Sequence, residues 1–357
     1  MESVLDLVGR LLMDQGKLEE AEPLLRVALE GRREGLGERH PNTLTSMNNL
    51  ALLLNDQGKL EEAEPLYRKA LEGSREVLGE RHPNTLISMD NLASLLNDQG
   101  KLEEAEPLYR AALQGSREVL GERHPDTLSS MSNLASLLLH QGKLEEAEPL
   151  YRAALEGSRE ELGERHPDTL ISMSNLASLL KDQGKLEEAE PLLRTDLEVS
   201  REELGERHPD TLISMNNLGL LLQHQAKLEA AEVLYRADLA GSRELLGERH
   251  PGTLISTGNH TDLLRQMGRL PEARCVLGDT VAVATQVWGP HHEGTLVIRA
   301  KEARLLAAEG DAQGTVRLAQ VVITMEEVLG PDHPQTRKYV AALEELSLRV
   351  GGVHAVS

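Results

Sequence analysis

The chain contains no phenylalanine, one tryptophan and five tyrosines, yet 39% of its 357 residues are hydrophobic. Its core must therefore be built from leucine and alanine, the strongest helix formers. With so few aromatic or β-branched runs, a β-sandwich or barrel is excluded as a working expectation. The lone cysteine, Cys275, permits no internal disulfide and no Cys-based zinc site, and suits a reducing compartment. Bases are also scarce: 38 Lys and Arg stand against 59 Asp and Glu, a formal charge of −21. Nucleic acid is thereby disfavoured as a partner, because phosphate neutralisation needs clustered Lys and Arg. No run of 18 apolar residues is present for a membrane span. The opening MESVLDLVGRLLMDQ places two acids before its first base and lacks the pattern of a secretory signal. Glycine-rich phosphate loops, His-Glu-x-x-His and the nucleophile elbow are missing too. The expectation is a cytoplasmic, non-enzymatic protein with no cofactor, no metal and no membrane partner.

What the chain does have is a period. His-Pro recurs at His40, His82, His124, His166, His208 and His250, in steps of 42 residues. His292 keeps the step although Glu293 replaces proline, and His333-Pro334 follows one residue early. Gly-Lys marks a second phase at Gly16, Gly58, Gly100, Gly142 and Gly184, decaying to Ala226-Lys227, Gly268-Arg269 and Gly310-Asp311. The chain reads as one array over 1–357. Residues 1–42 form an incomplete first repeat and 43–252 five near-identical repeats. Residues 253–335 form two degenerate repeats, and 336–357 a capping helix with a short tail.

Each repeat predicts two helices. Pro83 suits a first helical position, and Leu86, Met89, Leu92, Ala93 and Leu96 fall on one helical face before Gly100. A second helix from about Leu102 buries Ala105, Leu108, Tyr109, Ala112 and Leu113 and ends at Gly121. Pro107 inside it costs one backbone hydrogen bond and predicts a local bend.

Met47-x2-Leu50-Ala51-x2-Leu54…Ala63-x3-Tyr67 matches the tetratricopeptide pattern with aliphatics in place of aromatics. The 42-residue form, with NNLA, QGKLEEAEPLYRKALE and LGERHP, resembles the repeats of kinesin light chains and of nephrocystin-3-like proteins. That resemblance implies an all-α fold, a right-handed superhelical solenoid of helix-turn-helix repeats whose first helices line a concave groove. It also implies a protein-interaction scaffold or adaptor that binds a protein or peptide ligand. The heptad segment by which light chains join their motor is not in this sequence, so an adaptor without that link is expected.

On the groove side of the first helix one column is constant: Asn49, Asn91, Asn133, Asn175, Asn217 and Asn259. Its neighbour varies through Asn48, Asp90, Ser132, Ser174, Asn216 and Gly258. Further columns read Leu52, Ser94, Ser136, Ser178, Leu220, Asp262 and Asn55, Asn97, Leu139, Lys181, Gln223, Arg265. Each asparagine offers a donor and an acceptor. A ladder of such amides can pair with the main chain of an extended peptide, leaving the varying neighbours to select side chains. The other reading is that the asparagines bridge adjacent helices, or are copies left by duplication. Light chains use this asparagine with nearby bases to bind acidic peptides, and the sequence departs there. Thr45, Ile87, Ser129, Ile171, Ile213 and Ile255 stand four residues before the ladder, where that family can carry lysine. The arginine expected 25 residues after it is Ser74, Ser116, Ser158, Ser200 and Ser242, and only Arg32 keeps the register. A base-poor groove on an acidic chain is expected to take an apolar or basic segment.

The spaced histidines are read as polar residues at helix starts, too far apart to share a metal ion. Cys275 and Trp288 are expected to be packing residues. The C-terminal helix looks capped by Arg337, Lys338, Glu344 and Glu345. The start does not: Val4, Leu7, Leu11 and Met13 put apolar atoms where a cap should be polar. That end is expected to self-associate, to pack on a partner, or to continue a longer array.

Overall fold

The computed structural model describes residues 2–331 and 333–353. The tail at 354–357 lies outside the described residues, as do Met1 and Asp332. All the secondary structure among the described residues is helical. Helices alternate as α1 (Glu2–Asp14), α2 (Leu18–Leu36), α3 (Pro41–Asp56), α4 (Leu60–Leu78), α5 (Pro83–Asp98), α6 (Leu102–Leu120), α7 (Pro125–His140), α8 (Leu144–Leu162) and α9 (Pro167–Asp182). They continue as α10 (Leu186–Leu204), α11 (Pro209–His224), α12 (Leu228–Leu246), α13 (Pro251–Gln266), α14 (Leu270–Leu277), α15 (Thr280–Trp288), α16 (Glu293–Ala308), α17 (Ala312–Val328) and α18 (Pro334–Val353). The chain divides into two compact units, Met1–Asn175 and Leu176–Ser357, the boundary falling inside α9.

The LGERHPxT segment explains itself atom by atom. Gly79 ends α4 in the left-handed region, at φ 92°. His82 then caps α5, its Nδ1 accepting from the backbone N–H of Asn84 at 3.1 Å. The same bond, at 3.1–3.3 Å, recurs at His40, His124, His166, His208, His250, His292 and His333. Proline occupies the next position, where no partner is needed for its missing N–H. The fully buried threonine that follows ties the turn together, Thr127 Oγ1 donating to the carbonyl of Gly121 at 2.8 Å.

A first helix buries more than one face. In α5 the buried set is Thr85, Leu86, Ser88, Met89, Leu92, Ala93, Leu95 and Leu96. Leu95 is absent from the single-face pattern, yet α5 packs against α6 of its own layer and α4 of the layer before. Full burial of each such leucine stabilises by about 1.5–3 kcal/mol. Leu108, expected in the core, is instead half-buried. With Leu71, Leu92 and Pro107 it lines an open depression of about 700 Å³ between α4 and α6. Cys275 is exposed rather than packed. Its helix, α14, is a short piece of a second helix that breaks at Gly278 and resumes as α15. Trp288, half-buried, stacks on His292 with ring centroids 5.3 Å apart.

Polar letters of the repeat hold neighbouring layers together on the second-helix side. Lys59 Nζ reaches Glu22 of the preceding layer at 2.8 Å, and Arg26 joins Glu22 at 2.8 Å to Glu62 at 3.1 Å. Lys101, Arg68, Glu64 and Glu104 repeat this, as do Lys143, Arg110, Glu106 and Glu146. Hydrogen bonds from Lys59 and then Arg26 hold the Glu22 carboxyl down at about 2. Gln57 adds a bond from Nε2 to the carbonyl of Leu18 at 3.3 Å. Each exposed pair is worth little alone, but the chain of pairs fixes spacing.

The first-to-second turn needs a positive φ, supplied by glycine at Gly16, Gly58, Gly100, Gly142 and Gly184 with φ of 72–76°. Ala226 stands in that place at φ 58°, the one non-glycine residue of positive φ among the described residues. An L-residue there costs about 1–2 kcal/mol relative to glycine. Ala226→Gly is therefore expected to stabilise the protein by about 1 kcal/mol, read as a higher midpoint in urea with an unchanged slope.

Candidate peptide-binding face

Successive first helices touch: α1 with α3, α3 with α5 and α5 with α7 in the first unit, and α11 with α13, α13 with α16 and α16 with α18 in the second. Successive second helices do not approach as closely. First helices thus form the inner side of each unit, and their surface turned away from the second helices is the candidate face.

In the first unit this face carries exposed Thr45, Ile87, Ser129 and Ile171, with Asn49, Asn91 and Asn175 half-buried and Asn133 exposed. In the second it carries exposed Ile213 and Ile255 beside half-buried Asn217 and Asn259. The ladder residues do not share one role. Asn49 Nδ2 donates to Asp6 at 3.2 Å and Asn259 Nδ2 to Asn216 Oδ1 at 2.9 Å, so both bridge layers. Asn91, Asn133, Asn175 and Asn217 make no side-chain hydrogen bond within the protein among the described residues. Three of these free amides lie in the first unit and the fourth, Asn217, in the second.

The neighbouring column is largely adhesive. Asn48 Nδ2 donates to Ser88 Oγ of the next layer at 2.7 Å, and Asp90 Oδ2 accepts from Ser130 Oγ at 2.7 Å. Ser132 and Ser174 are half-buried at the same place. Burial pushes the Asp90 carboxyl up to about 7, against the pull of the Ser130 bond.

Ser74, Ser116, Ser158, Ser200 and Ser242, in the register of the expected arginine, are buried. Arg32, in the same register, is buried too, its Nη1 3.2 Å from Asp6 and 3.3 Å from the Asn42 carbonyl, with Ser46 as a third partner. It is closed to a ligand by partners from its own layer and the next.

Bases do reach the inner face, in the second unit, where the expectation of a base-poor groove fails. Lys301 takes the ladder position after Asn259, and its Nζ donates to Asn259 Oδ1 at 2.6 Å. Arg304 follows Asp262 in its column, and Arg265 follows Gln223. Asp262 is held by both Nε and Nη2 of Arg265 at 2.9 Å and by Arg304 Nη1 at 3.4 Å. Burial opposes ionisation of Asp262, but Arg265, Arg304 and Lys301 keep its carboxyl below the usual range. Burial also lowers Lys301 to about 8, with Asp262 opposing and Lys338 and Arg304 reinforcing the shift. Lys338, expected to serve the outer cap, belongs electrostatically to this cluster. With Lys181 it helps partial desolvation hold the His224 imidazole below its ordinary value. Following each column one more step of 42 residues from Asn259 and Asp262 would have found Lys301 and Arg304. Lys338 needs the one-residue slip before His333.

The architecture and the inner face define a helical-repeat interaction protein. The chain belongs to the tetratricopeptide repeat family, whose profile matches residues 1–76, 46–114, 89–156, 126–195 and 174–237. Among solved structures it is similar to BtubC (BKLC) from P. vanneervenii, at 24% identity over 64% of this chain and 92% of that one, with a TM-score of 0.54. A Rap protein complexed with competence and sporulation factor superimposes over 98% of this chain and 99% of that one, at 13% identity and TM-score 0.63. The nearly identical TPR-like repeats of a Podosopora anserina kinesin light chain candidate share 26% identity over 57% of this chain and 97% of that one, at TM-score 0.48. No curated protein sequence matches the chain. Among the described residues, no helix is long and apolar enough to cross a membrane.

The buried Asp90 gives this face a pH signature. Its folded value of about 7 exceeds the ordinary 3.8, so the native state holds the proton more tightly and stability falls as pH rises between those values. Asp90→Asn, which supplies the amide found at Asn48, is expected to stabilise at pH 8 by on the order of 1–2 kcal/mol and to change little at pH 4. Thermal melts at the two pH values check this.

Proposed function

We propose that the protein is a non-enzymatic scaffold that binds an extended peptide segment of a partner protein along the inner face of its first helices. The observation that carries this reading is the row of free amides at Asn91, Asn133 and Asn175 in the first unit. Side-chain amides that do not bond to the protein are suited to the alternating N–H and C=O groups of an extended main chain. The exposed isoleucines, one turn before the ladder in four layers, supply apolar contacts for alternate side chains of such a segment. The family is one of protein-interaction repeats, which agrees with this reading. The triple variant Asn91→Ala/Asn133→Ala/Asn175→Ala is expected to fold as the wild type does, since none of the three amides has a partner to lose. It should lose the partner that the wild type retains in a pull-down. Retention of the same partner by both folded proteins, matched by circular dichroism, would reject the ladder as a binding device.

A second reading, an architectural array joined through its ends, draws on α1. Val4, Leu7 and Leu11 are 62%, 56% and 50% exposed, and Val8 is 39% exposed. The residues one period later at three of these places, Ser46, Leu50 and Leu53, are buried, so α1 presents a layer-to-layer surface with nothing packed on it. Self-association through this end predicts a concentration-dependent mass in light scattering that Leu7→Glu/Leu11→Glu abolishes. A wild type that stays monomeric over the whole concentration range would end this reading.

A further inference from the structure

The second unit gathers five cations on its inner face, Lys181, Arg265, Lys301, Arg304 and Lys338, in a chain of net charge −21. Their carboxylate neighbours are Asp182, 3.4 Å from Lys181, and Asp262, already shared by two arginines. Three positive charges are left over. Lys301 is the sharpest case: it is buried, and the one hydrogen bond of its ammonium goes to a neutral amide. A buried cation whose nearest carboxylate, Asp262, is already bonded to two arginines is costly, and six preceding layers avoid that cost with asparagine. The cations therefore lack an anion that the protein itself does not supply.

The size of the excess selects the anion. One carboxylate would leave most of it uncompensated, whereas a phosphomonoester brings a charge of about −1.5 to −2 and three acceptor oxygens. The guanidinium groups of Arg265 and Arg304 use only part of their donor sets on Asp262, and a planar fork of donors suits phosphate oxygens. Exposed Ile213 and Ile255 and half-buried Val297 continue the apolar column on the same helices. We infer that Lys301, Arg304, Arg265 and Lys338 receive a phosphomonoester carried on a segment bound along the inner face of the second unit, so that phosphorylation of the partner controls its capture. This rests on the peptide-binding reading of the inner face and names the chemistry of its ligand.

The test uses the full chain and three degenerate peptide libraries that differ only in a fixed central residue: phosphoserine, serine or glutamate. The wild type is expected to retain the phosphoserine library about tenfold over each of the others. Lys301→Asn, which restores the residue of the preceding layers, and Arg304→Ser, which restores that of Ser94, Ser136 and Ser178, should each reduce retention to the level of the serine library. Equal retention of the glutamate library, or unchanged retention by both folded variants, overturns the inference. Displacement of the phosphopeptides by inorganic phosphate at equal concentration overturns it as well, since the site would then take a free anion. If the serine library binds as well as the phosphoserine library and is lost in the Asn91/Asn133/Asn175 variant, the peptide face stands and its phosphate chemistry falls. If the wild type retains no library, both fall.

Discussion

Everything in this molecule depends on the burial of each first helix between two second helices, one from its own layer and one from the layer before. A helix clamped on two sides needs an apolar arc wider than one face, hence the eight buried residues of α5. It also leaves only a narrow strip free, and that strip is the candidate binding face. Within each unit the 42-residue period then repeats the strip from layer to layer, so that single positions become columns. Scaffold and site are two sides of one helix.

The polar chemistry separates along the same line. On the second-helix side acids and bases meet partners in the next layer, as Glu64 does with Lys101 and Arg68. Those positions hardly vary along the chain because each must match a copy of itself one layer away. On the inner side only some positions are matched across layers, as Asn48 is with Ser88, and charge varies from layer to layer, as half-buried Asp90 in one unit and as the cluster around Lys301 in the other.

Most of the fold was legible because its signals are local. Proline after histidine, glycine at the turns and leucine at helical spacing each act within a few residues, and the helix limits follow from them. Leu95 and Leu108 were misjudged because their burial depends on which neighbouring helix covers them, which a single-helix projection cannot register. Cys275 is exposed because its register, that of Val233 and Pro191, faces solvent in the regular second helices as well. The site was legible as a column but not as a set of roles. Asn49 and Asn91 hold the same place in the repeat, and Asp6, across the layer boundary, makes the first a bridging amide while the second stays free. Lys181 and Arg265 stand in the columns read from the sequence, whereas Lys301, Arg304 and Lys338 lie beyond the point where the motif letters survive.

Near-identity of the layers has a cost in specificity. The surfaces that join α4 to α5 and α6 to α7 carry almost the same side chains, so neither can recognise its proper mate by chemistry. Correct order must come from connectivity: three residues separate α3 from α4 and four separate α4 from α5, too few to let a helix reach past its neighbour. The short turns act as the assembly code. A chain with lengthened loops and every adhesive residue intact would be free to stack its layers in the wrong sequence, or on those of another molecule.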